Sequence, residues 1–259
     1  MTTLLAVHAH PDDIETLAAG TLALLAKSGL RVVIATLTAG ECGCVSDNPE
    51  RTARTRREEA SRAAALIGAG YECLGLPDLG LFNDDASRRA VTELLRRARP
   101  DIVLGPSPED YHPDHEAAGL LVRDACFAAS VPGYRTGDAA PLTAIPHLYY
   151  VDAIGGRRRD GSAIAPDFAA DVSATFATKT AMLECHQSQK DWLLRQHGMT
   201  DFTAAMAAQT RRRGREFGVD YAEAYRQYRG TPYPRDPALQ TLLGDDLRRR
   251  ASAGAPPAP

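Results

Sequence analysis

Residues 4–37 read LLAVHAHPDDIETLAAGTLALLAKSGLRVVIATL, and the order of patterns within them decides the fold. Residues 4–7 form a short apolar run, the length and character of a buried strand. Pro11, Asp12 and Asp13 end it, because proline has no amide to donate to a ladder and aspartate favours turns and helix caps. Apolar residues then recur at helical spacing over 14–27, and Ser28-Gly29 stops that helix. Residues 31–37 (RVVIATL) are β-branched and apolar on both alternating faces, as a parallel strand covered on both sides must be. Strand, helix and strand make a βαβ unit whose crossover returns the second strand parallel to the first.

The alternation continues outward from this unit. The spacing predicts a helix over 51–67, a strand over 71–74, a helix over 87–98 that Arg99-Pro100 breaks, a strand over 101–104 and a loop over 106–113. The fold class is therefore α/β, a Rossmann-like, mostly parallel sheet with helices on both faces. With the usual strand order 3-2-1-4, the first and fourth strands lie side by side at the topological switch point, and the loops that follow them share one crevice. Beyond residue 133 glycine, proline and threonine loosen the pattern. A strand over 147–151 and helices over 173–195, 202–213 and 221–228 predict a smaller, mainly helical C-terminal part. The expected division is a catalytic core over 1–132, a substrate cap and helical part of the same domain over 133–250, and a disordered tail over 251–259, which holds only Ala, Ser, Gly and Pro.

Composition narrows the class. Hydrophobic residues at 44% and charged residues at 24% of 259 suit a globular chain with a sizeable core. A formal net charge of -3 provides no broad positive field, which argues against nucleic acid and anionic membranes as partners. Arginine runs at 157–159, 211–213 and 248–250 read as solvated faces. Five cysteines, an odd number, point to a reducing compartment, and Cys42-Gly43-Cys44 lacks the second pair that a structural zinc site needs. The amino terminus enters a strand without a basic, apolar leader, and the apolar runs fall short of the ~20 residues of a membrane span. These features predict a cytoplasmic protein with no membrane insertion.

Two loops carry the chemistry. His10-Pro11-Asp12-Asp13-Ile14-Glu15 follows the first strand and Asp110-Tyr111-His112-Pro113-Asp114-His115 follows the fourth. Alone, either His-Pro-Asp is equally well a capping turn. In one crevice, however, they assemble imidazoles and carboxylates, ligands that zinc accepts. Three such ligands leave a coordination position for water, the mark of a hydrolytic centre rather than a structural one. A dinucleotide module would need Gly-x-Gly-x-x-Gly after the first strand, and carboxylates at that point repel phosphate.

These paired signatures resemble those of the LmbE-like (PIG-L) family of zinc-dependent N-acetylglucosaminyl deacetylases, His-Pro-Asp-Asp followed closely by Glu, and His-x-Asp-His. The likeness runs through the first half of the chain and continues weakly in His186-Gln187-Ser188-Gln189 and in Gly218-Val219-Asp220-Tyr221-Ala222-Glu223. Carried over, it implies that His10, Asp13 and His115 hold Zn2+, or another divalent ion such as Fe2+. It makes Asp12 the general base, His112 the general acid or oxyanion donor, and Asp114 the carboxylate that orients an active-site imidazole. Arg56, in Arg56-Arg57-Glu58-Glu59-Ala60, matches the family's substrate-side arginine. Asp78, in the turn after Gly75-Leu76-Pro77, and His186 match positions near substrate. The implied partner is a small acylated amino sugar, cleaved to a free amine and acetate. The same metal site would also serve an ester or the amide of a thiol-sugar conjugate, since metal-activated water does not itself select the leaving group. The loop over 41–49 is longer than in compact members. His8, on the same side of the strand as His10, reads as a packed histidine or one that supports a site residue from behind. Trp192, Tyr221, Tyr225 and Tyr228 have the spacing of a helix face, buried in the core or in a homo-oligomer interface.

Overall fold

In the computed structural model, which describes residues 1–43, 48–198 and 201–249, the first half alternates as its sequence dictates. Strands β1 (Thr3–His8), β2 (Arg31–Thr38), β3 (Gly70–Leu76) and β4 (Ile102–Gly105) are separated by α1 (Asp13–Leu17), α2 (Ala19–Lys27), α3 (Pro49–Ala65) and α4 (Asp85–Ala98). Helix α5 (Pro113–Ala129) leads to β5 (His147–Val151). Then come β6 (Phe168–Asp171), α6 (Phe176–Glu184), α7 (Gln187–His197), α8 (Phe202–Phe217), β7 (Ala222–Gln227), α9 (Ala238–Leu243) and β8 (Leu247–Arg248). All eight strands form one sheet in the order β3-β2-β1-β4-β5-β7-β6-β8. The expected 3-2-1-4 order holds, with β1 parallel to β2 and to β4 through the registers Thr3↔Arg31 and Leu4↔Ile102. Neighbouring β1 residues feed opposite cores. Leu4 and Ala6 pack with Leu22 and Leu25 of α2 on one face, whereas Leu5 and Val7 pack with Leu94 and Leu121 of α4 and α5 on the other. Helices on both faces bury both sets, which is why the strand reads as an unbroken apolar run. No described helix is long and apolar enough to cross a membrane.

Several expected elements differ, each for a tertiary reason. The helix over 14–27 breaks at Ala18 (φ -141°, ψ -3°) into α1 and α2. There the Glu223 carboxylate takes the amides of Gly20 (2.9 Å) and Thr21 (2.7 Å), a cap supplied from the far end of the chain. A side chain at Gly20 would put its Cβ 2.7 Å from that of Val172, so only glycine permits this approach. The helix over 173–195 divides into α6 and α7 around His186. Residues 221–228, expected to be helical, contain instead the strand β7, antiparallel to β5 and β6. Tyr225 lies in the core there, stacked on Phe168 at 5.7 Å. The C-terminal part thus adds three antiparallel strands to its helices. The second His-Pro-Asp motif does not lie wholly in a loop, because α5 begins at Pro113. Cys44 and the expected disordered tail lie outside the described residues.

Candidate metal centre and catalytic crevice

The first motif is shaped by its backbone. Asp12 sits at φ 97°, a left-handed conformation disfavoured for a residue with a side chain, at the N-cap of α1. Its carboxylate makes no cap hydrogen bond, so it is not committed to the helix. Asp13 is committed locally, accepting the His10 amide at 2.8 Å. Arg56 locks the turn from behind, donating to the carbonyls of Pro11 (2.7 Å) and Gly40 (2.8 Å) and to Asp12 Oδ1 (3.3 Å). Gly40 has φ 67°, and a Cβ there would lie 2.3 Å from the guanidinium, so this arginine requires that glycine.

The second motif is shaped by a cap. His112 is the N-cap of α5, and its Nδ1 accepts the Asp114 amide at 3.2 Å while Pro113 fills the first helical turn. Asp110 organises the preceding loop: Oδ1 accepts the amides of Tyr111 (2.7 Å) and His112 (3.2 Å), and Oδ2 accepts that of Ile154 (3.0 Å).

At the β1/β4 switch point the motifs converge. His10 Nδ1 lies 3.2 Å from His115 Nε2 and 3.3 Å from Asp13 Oδ2, and His115 Nε2 lies 3.4 Å from Asp13 Oδ1. Ligands about 2.0–2.1 Å from a tetrahedral zinc are separated by about 3.3 Å, a spacing that His10 Nδ1, His115 Nε2 and Asp13 Oδ1 match at the His10–His115 and His115–Asp13 pairs. The outer nitrogens are held as metal-binding imidazoles are. His115 Nδ1 meets Asp110 Oδ1 at 3.2 Å, and His10 Nε2 meets Asp78 Oδ1 at 3.0 Å and Asp114 Oδ2 at 3.3 Å. His8 Nδ1 binds Asp13 Oδ2 at 2.6 Å, leaving Oδ1 for an ion. Three groupings, His10/His112/His115, His8/Asp13/His115 and His10/Asp78/Asp114, bring ligand atoms within 4.8 Å of one another in the same crevice. A divalent metal therefore has a fitting set of ligands in this chain.

Exposure sorts the residues further. His10, Asp13 and His115 are buried, whereas Asp12 and His112 are only partly so. Burial, opposed by the Arg56 guanidinium, pushes Asp12 up to about 6. Burial and the neighbouring charges of His10 and His115 hold His112 below the ordinary histidine value. Burial disfavours the Asp78 carboxylate, but the hydrogen bond and charge of His10, the Cys42 amide and the Arg56 charge together outweigh it and bring Asp78 down to about 2. A metal-binding trio with an accessible carboxylate and imidazole beside it can activate water and stabilise a developing oxyanion.

Of the nine residues singled out in the sequence, five converge on this ring as expected, His10, Asp13, His112, Asp114 and His115, and Asp12 adjoins them with its carboxylate on Arg56. The other three, expected to touch substrate, stand behind it. Arg56 is 3% exposed and holds Asp12, and Asp78 turns a buried side chain onto His10. His186 is 0% exposed, with Nε2 3.4 Å from Glu15 Oε1. Sequence reasoning missed the role of Asp110 and left His8 between packing and support of a neighbouring site residue. Asp110 stands in the quoted motif without a distinguishing neighbour, and the position of His8, two residues before His10, was the signal for both packing and ring contact.

A model of the PIG-L family, described as GlcNAc-PI de-N-acetylase, matches residues 5–126. The chain is 30% identical over 192 residues to the diacetylchitobiose deacetylase of Thermococcus kodakarensis, covering 72% of this chain and 69% of that protein. It is 28% identical over 194 residues to the 4-oxalmesaconate hydratase of Pseudomonas putida, covering 72% and 73%. The solved structure of the conserved protein TT1542 from Thermus thermophilus matches with TM-score 0.72 and 31% identity, over 91% of this chain and 100% of that one. With identity at this level across most of two relatives, and both signature loops folded into one crevice, the chain belongs to the PIG-L family.

Proposed function

We propose that this chain is a zinc-dependent N-deacetylase of acylated amino sugars. The observation that carries the reading is the convergence of His10, Asp13 and His115, with neighbouring separations of 3.2–3.4 Å, beside Asp12, whose carboxylate makes no helix cap and rests on Arg56. The deacetylase relative supports an amide as the bond cleaved. A bound divalent ion would supply Lewis-acid polarisation and a water acidified towards neutral pH. Asp12, held by Arg56, takes the proton of the attacking water. His112 accepts a backbone amide at Nδ1, so its neutral ring carries its proton on Nε2 and donates it as a hydrogen bond to the tetrahedral oxyanion. The carbon–nitrogen bond then breaks, and the proton held by Asp12 passes to the departing amine, giving a free amino sugar and acetate. Asp110, Asp114, Asp78 and His8 orient the ligands, while Arg56 and His186 act as positioning residues. Residues 133–250 serve in this reading as the cap over the core formed by 1–132, a role supported by the hydrogen bond from Ile154 to Asp110.

The test is to strip the protein with a chelator, restore single metals, and follow acetate release from N-acetylglucosamine and its conjugates. Zinc should restore release, and Asp12→Asn should bind zinc yet lose at least ~100-fold in kcat. Tight zinc binding without cleavage of any amide, together with hydration of an unsaturated acid, would move the chain to the hydratase side of its family.

A further inference from the structure

Arg56 and Glu59, both 3% exposed, stand on one face of α3 at the i, i+3 spacing where a guanidinium and a carboxylate ordinarily pair. Here they are drawn apart: the carboxylate that Arg56 meets is that of Asp12, at 3.3 Å, and its other bonds go to the carbonyls of Pro11 and Gly40. Its Nε is buried without an acceptor among the described residues, so the guanidinium keeps one donor that a carboxylate would fill. Glu59 is held elsewhere. Ser188 donates its amide to Oε1 at 2.9 Å and its hydroxyl to Oε2 at 2.6 Å. It lies in the first turn of α7, whose amides have no partner within the helix and favour a carboxylate. His186, fully buried just before that turn, seats the helix on α1 with Nε2 3.4 Å from Glu15 Oε1.

Both oxygens of Glu59 are thus engaged by α7, and the guanidinium is left to the turn that carries Asp12. Resting on the reading of Asp12 as the base, we propose that Ser188 is a positioning residue for Asp12: it keeps Glu59 off Arg56, so that Arg56 stays on the Asp12 turn. One guanidinium joins Pro11, Asp12 and Gly40, so whatever moves it acts on all three. Its loop side is closed, since a Cβ at Gly43 would lie 2.8 Å from Nη1, and a shift therefore carries it away from those partners. The competitor is close at hand, on the same face of the same helix, and needs only to lose its hold on α7. A cap on α7 is the plainer account of the Ser188 bonds, and the two accounts differ in consequence. A cap acts on stability alone. Restraint of Glu59 acts on Asp12, and its loss is cured by removing the charge of Glu59.

The test compares wild type, Ser188→Ala, Ser188→Thr and the double variant Ser188→Ala/Glu59→Gln in the zinc-loaded full chain, by acetate release from N-acetylglucosamine and by crystal structure. Ser188→Ala should lower kcat roughly ten-fold, the weight of one hydrogen bond to a charged group, with KM and zinc affinity unchanged. In its crystal structure Glu59 should lie within hydrogen-bond distance of Arg56 Nε, with Asp12 released. Ser188→Thr keeps the hydroxyl and should keep kcat. The double variant should regain most of kcat while melting no higher than Ser188→Ala, because a neutral amide competes poorly for Arg56 and also caps α7 less well. The proposal is overturned by an undiminished kcat in Ser188→Ala, by Arg56 remaining on Asp12 in that variant, or by a double variant as slow as the single one, which would make Ser188 a cap alone. A fall in zinc affinity as large as that in kcat would overturn it too, by placing the effect on the ligands. If wild type releases no acetate while the guanidinium moves as stated, the deacetylase reading fails and the hold of Ser188 on the Asp12 turn stands.

Discussion

Asp110 shows how much of the centre depends on residues that are not ligands. One carboxylate receives the amides of Tyr111, His112 and Ile154 and faces the outer nitrogen of His115. It thus fixes the loop, the cap and the ring orientation of a ligand together. Substituting Asp110→Asn keeps the size but removes the charge that an imidazole ligand uses, and zinc affinity should fall roughly 10–100-fold. Competition against a chromophoric chelator measures this, and an unchanged affinity would confine Asp110 to loop structure. The residues that converge at the crevice were legible in the sequence because their pattern is local: His10, Asp12 and Asp13 are adjacent, and His112, Asp114 and His115 repeat the same motif. Arg56, Asp78 and His186 were legible as site residues but not as buried ones. Burial depends on which loop lies over a side chain, and that is a property of the folded chain, not of the motif.

The break between α1 and α2 carries the same lesson for elements. Residues 14–27 are mostly good helix formers, Gly20 and the two threonines apart, with no proline to interrupt them. The interruption comes from residues about two hundred positions away: Glu223 caps α2, and Lys179 Nζ donates to Glu223 at 2.6 Å and to the Thr16 carbonyl of α1 at 2.7 Å. Both side chains are buried, so removing one partner strands the other without water. Lys179→Met should destabilise the protein by about 3–5 kcal/mol, and pairing it with Glu223→Gln should cost less than the sum of the two single changes. Urea melts of the three variants decide it; strict additivity would mean that the pair is not coupled. Strand β7 escaped notice for a related reason. Ala222, Glu223, Ala224 and Tyr225 are all buried, so neither face is turned to water, and a buried carboxylate within the run hides the pattern of an apolar face against a solvated one. The first four strands were legible because apolar β-branched runs between breakers have few other readings.

For the molecule as a whole, the candidate centre sits where the sheet reverses its direction of winding, and the ligands proposed for it come from opposite sides of that point. His10 and Asp13 follow β1, and His115 follows β4. The strands beyond β5 are secured separately, for example by the buried pair in which Arg213 of α8 grips Asp152 through two bonds of 2.7 and 2.8 Å. Metal binding should therefore stabilise the molecule unevenly. Free zinc at ~1,000 times its dissociation constant contributes about 4 kcal/mol to global stability, so chelation should lower the melting temperature. Locally, amide exchange should accelerate on chelation over 9–15, 40–43, 77–81 and 110–116, where the loops lean on the ring, and stay unchanged in β6 and β7. Equal acceleration across all strands would show instead that the metal supports the entire sheet. The switch point would then be the keystone of folding as well as the place of chemistry, and the division between a core that binds the ion and a cap that stands without it would fail.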